Sequence, residues 1–155
     1  MKKYDCVAVG GTFDIIHLGH LDLLKKSFEV SHFVVIGLTS DNFAKNTLNK
    51  TLKNTFEARL NNLNILIKSN IKSINYEITK LEEEFGPLMF SSKIKCLVAS
   101  TETSIKGERI NKLRVARGLK EIDVVSVELR LADDGLPISS SRIKNSEINP
   151  EGKVL

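Results

Sequence analysis

The sequence predicts an α/β fold in one domain over residues 1–155, with a five-stranded parallel sheet covered by helices on both faces. Three observations carry this reading. Short apolar runs with β-branched residues recur along the chain. Amphipathic stretches of helical period separate most of them. Several runs end in glycine or in small capping residues, where a strand gives way to a helix.

The first strand is the run at residues 6–9, C-V-A-V, closed by Gly10 and Gly11. These glycines permit positive φ and leave no Cβ in the path of a ligand. Leu21, Leu24 and Phe28 then share one face of a helix that opens with His17 and His20. Residues 32–38 give a second buried strand, ended by Thr39, Ser40 and Asp41 as capping residues. Lys45 follows in a short polar stretch. Phe56, Leu60, Leu63 and Ile67 mark a helix over about residues 55–69. Arg59 lies near its start, where the helix dipole disfavours a cation that has no anionic partner.

Residues 73–78 alternate and read as a third strand, and Glu82 to Glu84 as a solvated run. Gly86 and Pro87 break the chain before a short apolar helix. Residues 94–99 form the fourth strand, ending in Ser100, Thr101, Glu102 and Thr103. The helix after it runs to about Arg117 with Gly118 as its C′ residue, and residues 124–129 give the fifth strand. Asp133, Asp134 and Gly135 form a turn stiffened by Pro137. Ser139, Ser140 and Ser141 then cap a short helix, with Arg142 one turn in.

Composition narrows the function. The chain carries 41% hydrophobic and 27% charged residues with a net charge of +4, ordinary for a globular protein and helpful toward an anionic substrate. Aromatics make up 6% and do not interleave with basic residues, which argues against sequence-specific nucleic-acid binding. No apolar run is long enough to span a bilayer, and the N-terminal pattern is not that of a signal peptide, so a cytoplasmic location is expected with no membrane partner. Cys6 and Cys96 lie in apparent buried strands and read as free thiols.

In a doubly wound sheet, ligands bind beyond the carboxyl ends of the strands, at the switch in strand order. Thr12, His17, His20, the stretch 39–45 and the stretch 100–103 all fall at that edge, and the serine helix has to fold over it. A helix N-terminus, imidazole donors and clustered hydroxyls together suit phosphates. The histidines are three apart, on one face of the first turn. A zinc pair is the weaker reading, because no further ligands stand nearby.

Gly11-Thr12-Phe13-Asp14 with His17-Leu18-Gly19-His20 resembles the G-T-F-D-x-x-H-x-G-H signature of the H-x-G-H nucleotidyltransferases, whose fold is Rossmann-like (HUP-type). Ile138-Ser139-Ser140-Ser141-Arg142-Ile143 is similar to their I-S-S-T-R-I segment. Residues 98–103 with Gly107, Asn111 and Arg114 resemble the V-S-x-E-T…G…I-N-x-x-R segment of archaeal-type phosphopantetheine adenylyltransferases, and the likeness runs nearly end to end.

The resemblance implies transfer of the adenylyl group of ATP to 4′-phosphopantetheine, giving dephospho-coenzyme A and pyrophosphate, with Mg²⁺ accompanying the nucleotide. By the same resemblance His20 stabilises the transition state, His17 contacts the ATP phosphates, and Thr12 sits between ATP and the incoming phosphate. Gly11 and Phe13 join the ATP site. Lys45 is carried over as the lysine that grips the transferred phosphate. Ser139, Ser140 and Ser141 hold the β,γ-phosphates with Arg142 in support. The bacterial form carries T-x-G-H and an R-G-x-R loop. Here His17 replaces the threonine and residues 99–102 hold no arginine, which leaves Arg109 or Arg114 as alternative sources of charge.

Two other readings stand beside this one. Another nucleotidyltransferase of the same type is the closer, a glycerol-3-phosphate cytidylyltransferase or an FAD synthetase. A nucleotide-binding regulatory module without catalysis is the second. Class I aminoacyl-tRNA synthetases share H-x-G-H, but the chain lacks a K-M-S-K-S segment. The oligomeric state is open.

Overall fold

The computed structural model describes residues 2–155. Five parallel strands form one sheet in the order β3-β2-β1-β4-β5. They are β1 (Tyr4–Gly11), β2 (Ser31–Thr39), β3 (Tyr76–Leu81), β4 (Cys96–Ser100) and β5 (Asp123–Val127). The helices are α1 (Leu18–Val30), α2 (Asp41–Asn46), α3 (Phe56–Asn70), α4 (Thr101–Ser104), α5 (Gly107–Ala116) and α6 (Ser140–Lys144), with a 3-10 turn at Gly86–Met89. The chain winds outward from β1 through β2 to β3, then returns to lay β4 on the other side of β1. That reversal is the switch point at which doubly wound sheets bind ligands.

Period-2 alternation divides the core between the two faces of the sheet. Val7, Val9, Val34, Ile36, Leu38, Cys96 and Val98 pack with Leu24 and Phe28 of α1 and Leu63 and Ile67 of α3. On the other face Ala8, Leu97 and Ala99 meet Leu88, Met89 and Ile110. A third small cluster, Ala132, Ile138 and Ile148, seats the C-terminal segment that carries α6.

The ladder between β1 and its neighbours shapes the site. β1 stays in register with β2 up to Gly11↔Leu38, but its pairing with β4 stops at Ala8↔Leu97. Beyond that point the two central strands part, and the crevice opens between Val9–Gly11 and Val98–Ser100.

Three expectations are corrected. Positive φ falls not on Gly10 or Gly11, which remain in β1, but on Phe13, at 48°. The third strand begins at Tyr76: the Asn75 carbonyl already accepts from the Val34 N–H at 3.1 Å, but Ile74 before it is 91% exposed and stands off the sheet. The helix after β4 breaks in two at Ile105–Lys106, giving α4 and α5. Gly118 does take the C′ role, with φ of 79°.

Arg59 has a completely buried side chain near the start of α3. Its Nη1 donates to the carbonyls of Thr12 (2.9 Å) and Thr39 (2.7 Å), its Nε to that of Asn54 (3.2 Å), and its Nη2 to Asp41 Oδ1 (2.7 Å). The anionic partner that its place in the helix requires is thus Asp41, aided by three carbonyls. Removing the guanidinium leaves buried backbone carbonyls without a donor, while the half-exposed Asp41 can turn to water; unsatisfied buried acceptors of this kind cost about 1–3 kcal/mol each. Arg59→Met should therefore lower the urea unfolding free energy by that order, and a loss below about 1 kcal/mol would contradict the role assigned to it.

Candidate active site

β1 ends at Gly11, and the loop from Thr12 leads to α1, whose N-cap is His17 and whose N3 residue is His20. The histidines serve as a reciprocal capping box. The Gly19 N–H donates to His17 Nδ1 at 3.0 Å, and the His17 N–H donates to His20 Nδ1 at 3.3 Å. A ring nitrogen that accepts from an amide carries no proton, so both neutral rings hold theirs on Nε2. The rings stack with centroids 3.8 Å apart. Burial pushes His17 down to about 4, and burial with the neighbouring His17 charge pushes His20 down to about 3. Both imidazoles are neutral N–H donors at pH 7. Each Nδ1 is thus engaged by a backbone N–H.

Phe13 is 1% exposed and lies 4.9 Å from the His20 ring, fixing its back. Asp14 is nearly buried and acts as a clamp. Its carboxylate accepts from the N–H groups of Lys53 and Asn54, each at 2.9 Å, and pairs with Lys144 of α6. Burial works to raise its pKa, but Lys144 and these N–H donors outweigh burial and hold the carboxyl below its usual value. Lys144 also donates to the Thr51 carbonyl at 2.9 Å, and Ser140 Oγ to the Ile15 carbonyl at 3.1 Å. These contacts fold the serine helix over the strand edge. Ser139 is its N-cap, accepting from the Arg142 N–H at 3.3 Å.

Two chambers result. A polar cleft of about 620 Å³ is lined by Gly11, Thr12, Phe13, His17, His20 and the three serines Ser139–Ser141, with Lys144, Glu102 and Glu128 also facing it. An apolar chamber of about 240 Å³ lies on the other face of β1, between Phe43, Leu48, Leu81, Phe85 and Leu97. Gly10, Gly11, Thr12, Lys50 and Ser100 line both. The chambers therefore meet at Thr12 and Lys50, where Lys50 Nζ donates to Thr12 Oγ1 at 3.2 Å.

Most of the residues expected at the site converge on the polar cleft. Two do not. Lys45 sits exposed in the last turn of α2 and lines neither chamber. The lysine that lines both chambers is Lys50, which the chain brings in after α2 through a turn with Asn49 at φ 53°. Burial, then the charges of Lys144 and Lys106, hold the Lys50 ammonium below its ordinary value. Arg142 does not face the cleft either. Its guanidinium pairs with Asp134 and Glu147 and donates to the Leu136 and Pro137 carbonyls, so it braces the turn ahead of α6.

Arg114 and Arg109 also lie outside both chambers. Arg114 is 2% exposed and donates to the carbonyls of Leu88, Ser91 and Lys120. Arg109 pairs with Glu84. Lys50 and Lys144 had no periodicity or motif to mark them. Asp14 stood inside the G-T-F-D signature, and an aspartate just past a glycine pair is a signal for a loop clamp.

The depressed histidines set a pH dependence. In the unfolded chain both bind protons as pH falls through about 6.5, whereas the folded chain resists until about 4 and about 3. The unfolded state thus holds more protons across that window, and stability is lost as pH drops from 6.5 toward 4. Unfolding free energies measured from pH 7 to pH 4 should fall more steeply for the native chain than for a His17→Asn, His20→Gln variant. Parallel curves would show that the rings are not held neutral.

The comparisons agree with this geometry. A family model described as cytidylyltransferase-like matches residues 8–146. A phosphopantetheine adenylyltransferase of Methanothermobacter thermautotrophicus is 37% identical over 99% of this chain and 92% of its own. One of Pyrococcus furiosus is 42% identical over 99% of this chain and 96% of its own. Among solved structures, a protein from Archaeoglobus fulgidus described as of unknown function superposes with a TM-score of 0.68 at 30% identity, covering 82% of this chain and 89% of that one. With its five-stranded parallel sheet and these full-length matches, the chain is a nucleotidyltransferase that belongs to the cytidylyltransferase-like family and, within it, to the phosphopantetheine adenylyltransferases.

Proposed function

We propose that the chain transfers the adenylyl group of ATP to 4′-phosphopantetheine, forming dephospho-coenzyme A and releasing pyrophosphate. The observation that supports this best is the meeting of two unlike chambers at Thr12 and Lys50. One offers imidazole N–H groups and hydroxyls to a triphosphate. The other offers an apolar sleeve to a long uncharged arm whose phosphate stops at the lysine. The names of the full-length relatives point the same way.

In this reading ATP occupies the polar cleft, with its β,γ-phosphates against Ser139, Ser140 and Ser141 and its α-phosphate beside His20. An oxygen of the acceptor phosphate attacks the α-phosphorus in line. The bond from that phosphorus to the oxygen bridging to the β-phosphate breaks, and its electron pair leaves with pyrophosphate. The nucleophile is already an anion, so no general base is needed, and catalysis consists of positioning and charge stabilisation. His20 donates its Nε2–H to a non-bridging oxygen where negative charge grows. His17 donates to the adjoining phosphates. Lys50 draws the acceptor phosphate to Thr12.

Mg²⁺ accompanies the nucleotide in this reading. Among the described residues no group of three or more His, Cys, Asp or Glu side chains is arranged around a single point. The hydroxyls and N–H donors of the cleft fit a cation that keeps its waters and arrives chelated by phosphates. Ser139–Ser141 would hold that complex by its phosphates, and the ion would neutralise charge there.

Pyrophosphate release should require ATP together with 4′-phosphopantetheine; turnover of CTP with glycerol 3-phosphate instead would transfer the assignment to a cytidylyltransferase. His20→Ala should lower kcat by about a hundredfold or more with little change in ATP affinity, the effect of losing one preorganised donor. The two lysines separate cleanly. Lys50→Ala should raise the KM for phosphopantetheine by about tenfold or more, whereas Lys45→Ala should stay within about twofold of the native enzyme. The reverse pattern would restore Lys45 to the site.

A further inference from the structure

We propose that Lys106 is a second cation for the phosphate of the acceptor, held in reserve on Glu84 until the acceptor enters the apolar chamber. The inference rests on reading that chamber as the acceptor's site.

Lys106, Glu84 and Lys50 all line the apolar chamber. Lys106 stands at the break between α4 and α5, beside Ser100 and Thr103 at the chamber mouth. Its side chain is 48% exposed, and its Nζ lies 3.7 Å from Glu84 Oε1. That separation is long for a charge-assisted hydrogen bond, which closes to about 2.7–2.9 Å. Among the described residues Lys106 has no other acidic partner.

Glu84, by contrast, does not depend on Lys106. Arg109 reaches it with both terminal nitrogens, Nη1 to Oε1 at 3.3 Å and Nη2 to Oε2 at 3.4 Å. Arg109 is further held over the Phe85 ring, 5.2 Å from its centroid. Lys106 can therefore leave without stranding the carboxylate.

The charge of the ligand asks for this second cation. A phosphate monoester carries about −1.5 to −2 near neutral pH. Lys50 alone meets one unit of it, and the nearby imidazoles are neutral. The field of Lys106 already reaches Lys50, since it helps depress that ammonium. An anion between the two lysines turns a repulsion into a bridge.

The test turns on opposite signs. Were the Glu84–Lys106 contact a structural pin, breaking it from either side would do the same harm. As a reserve, it predicts that Lys106→Met raises the KM for phosphopantetheine by about tenfold while the KM for ATP stays within about twofold. Lys106→Arg should recover most of the loss. Glu84→Gln, which frees the lysine, should leave the acceptor KM at or below the native value. Steady-state kinetics of the full chain with both substrates varied reads all of these. An unchanged Lys106→Met enzyme, or Glu84→Gln and Lys106→Met raising the acceptor KM alike, overturns the proposal. Failure of the native chain to form dephospho-coenzyme A strikes the functional reading itself, which keeps the two outcomes distinct.

Discussion

The buried guanidinium of Arg59 is the interaction on which the rest of the site depends. It ties together the loop after β1, the end of β2, the segment before α3 and the first residue of α2, through three carbonyls and the carboxylate of Asp41. A charge withdrawn from water persists only where every donor is satisfied. The requirement works backward on the chain: Thr12, Thr39 and Asn54 have to present their carbonyls to one point. Thr12 is thereby placed at the switch in strand order, before any substrate arrives. Asp14 answers from the other sign. Its buried carboxylate gathers two backbone N–H groups and Lys144, and so draws the loop of Lys50 and the helix of the serines toward the same strand end. One buried cation and one buried anion, each fully partnered, flank the loop that begins at Thr12.

Glu102 and Glu128 line the polar cleft together with Lys144, and the neutral imidazole donors beside them are already oriented. The imidazoles are neutral, with their remaining protons directed by the capping box and not by a carboxylate. Among the described residues the Lys50 ammonium has a single side-chain hydrogen-bond partner, the Thr12 hydroxyl, and no acidic one. The acidic groups that bear on the cations near the site are either spent, as Asp14 is on Lys144, or set to one side, as Glu84 is with Arg109. In the proposed reaction such a site has little reorganisation left to do as charge develops on the α-phosphate, where preorganised dipoles act most strongly. Neutral histidines also lower the cost of stacking two rings at 3.8 Å, a contact that two imidazolium ions would oppose.

What could be read from the residues alone follows from how local each signal is. The strands were legible because burial on both faces writes itself as a continuous apolar run, as in V-V-I-G-L of β2. The third strand was misplaced because an edge strand owes its limits to its neighbour, here the pairing of Val34 with Tyr76, and not to its own alternation. The histidines and serines were legible because each group sits on one turn of one helix. The lysine was not. Lys45 and Lys50 differ by five positions in a polar stretch, and a turn with Asn49 in the left-handed region decides which one reaches Thr12. Arg142 looked like a phosphate ligand because its partners, Asp134 and Glu147, approach only once the turn before α6 has folded back.

The two chambers have a common origin in one short strand. Along β1, Val7 and Val9 face the helices α1 and α3, while Ala8 faces the other side. Ala8, Gly10, Gly37 and Ala99 lie along the apolar chamber, so its volume is that of side chains these positions lack. A Cβ on Gly37 would meet Leu81 at 2.7 Å, which shows how closely the chamber wall already approaches. Gly11, which lines both chambers, also shapes the polar one. A Cβ there would press on the Phe13 ring at 3.0 Å, and Phe13 supports His20 while holding a left-handed backbone that a bulky residue rarely adopts. The glycine pair is thus needed less for its own conformational freedom than for what it leaves empty on either side. With that thin partition between them, the proposed nucleotide and phosphorylated arm would be held from opposite faces of the sheet and still bring two phosphates together at one threonine.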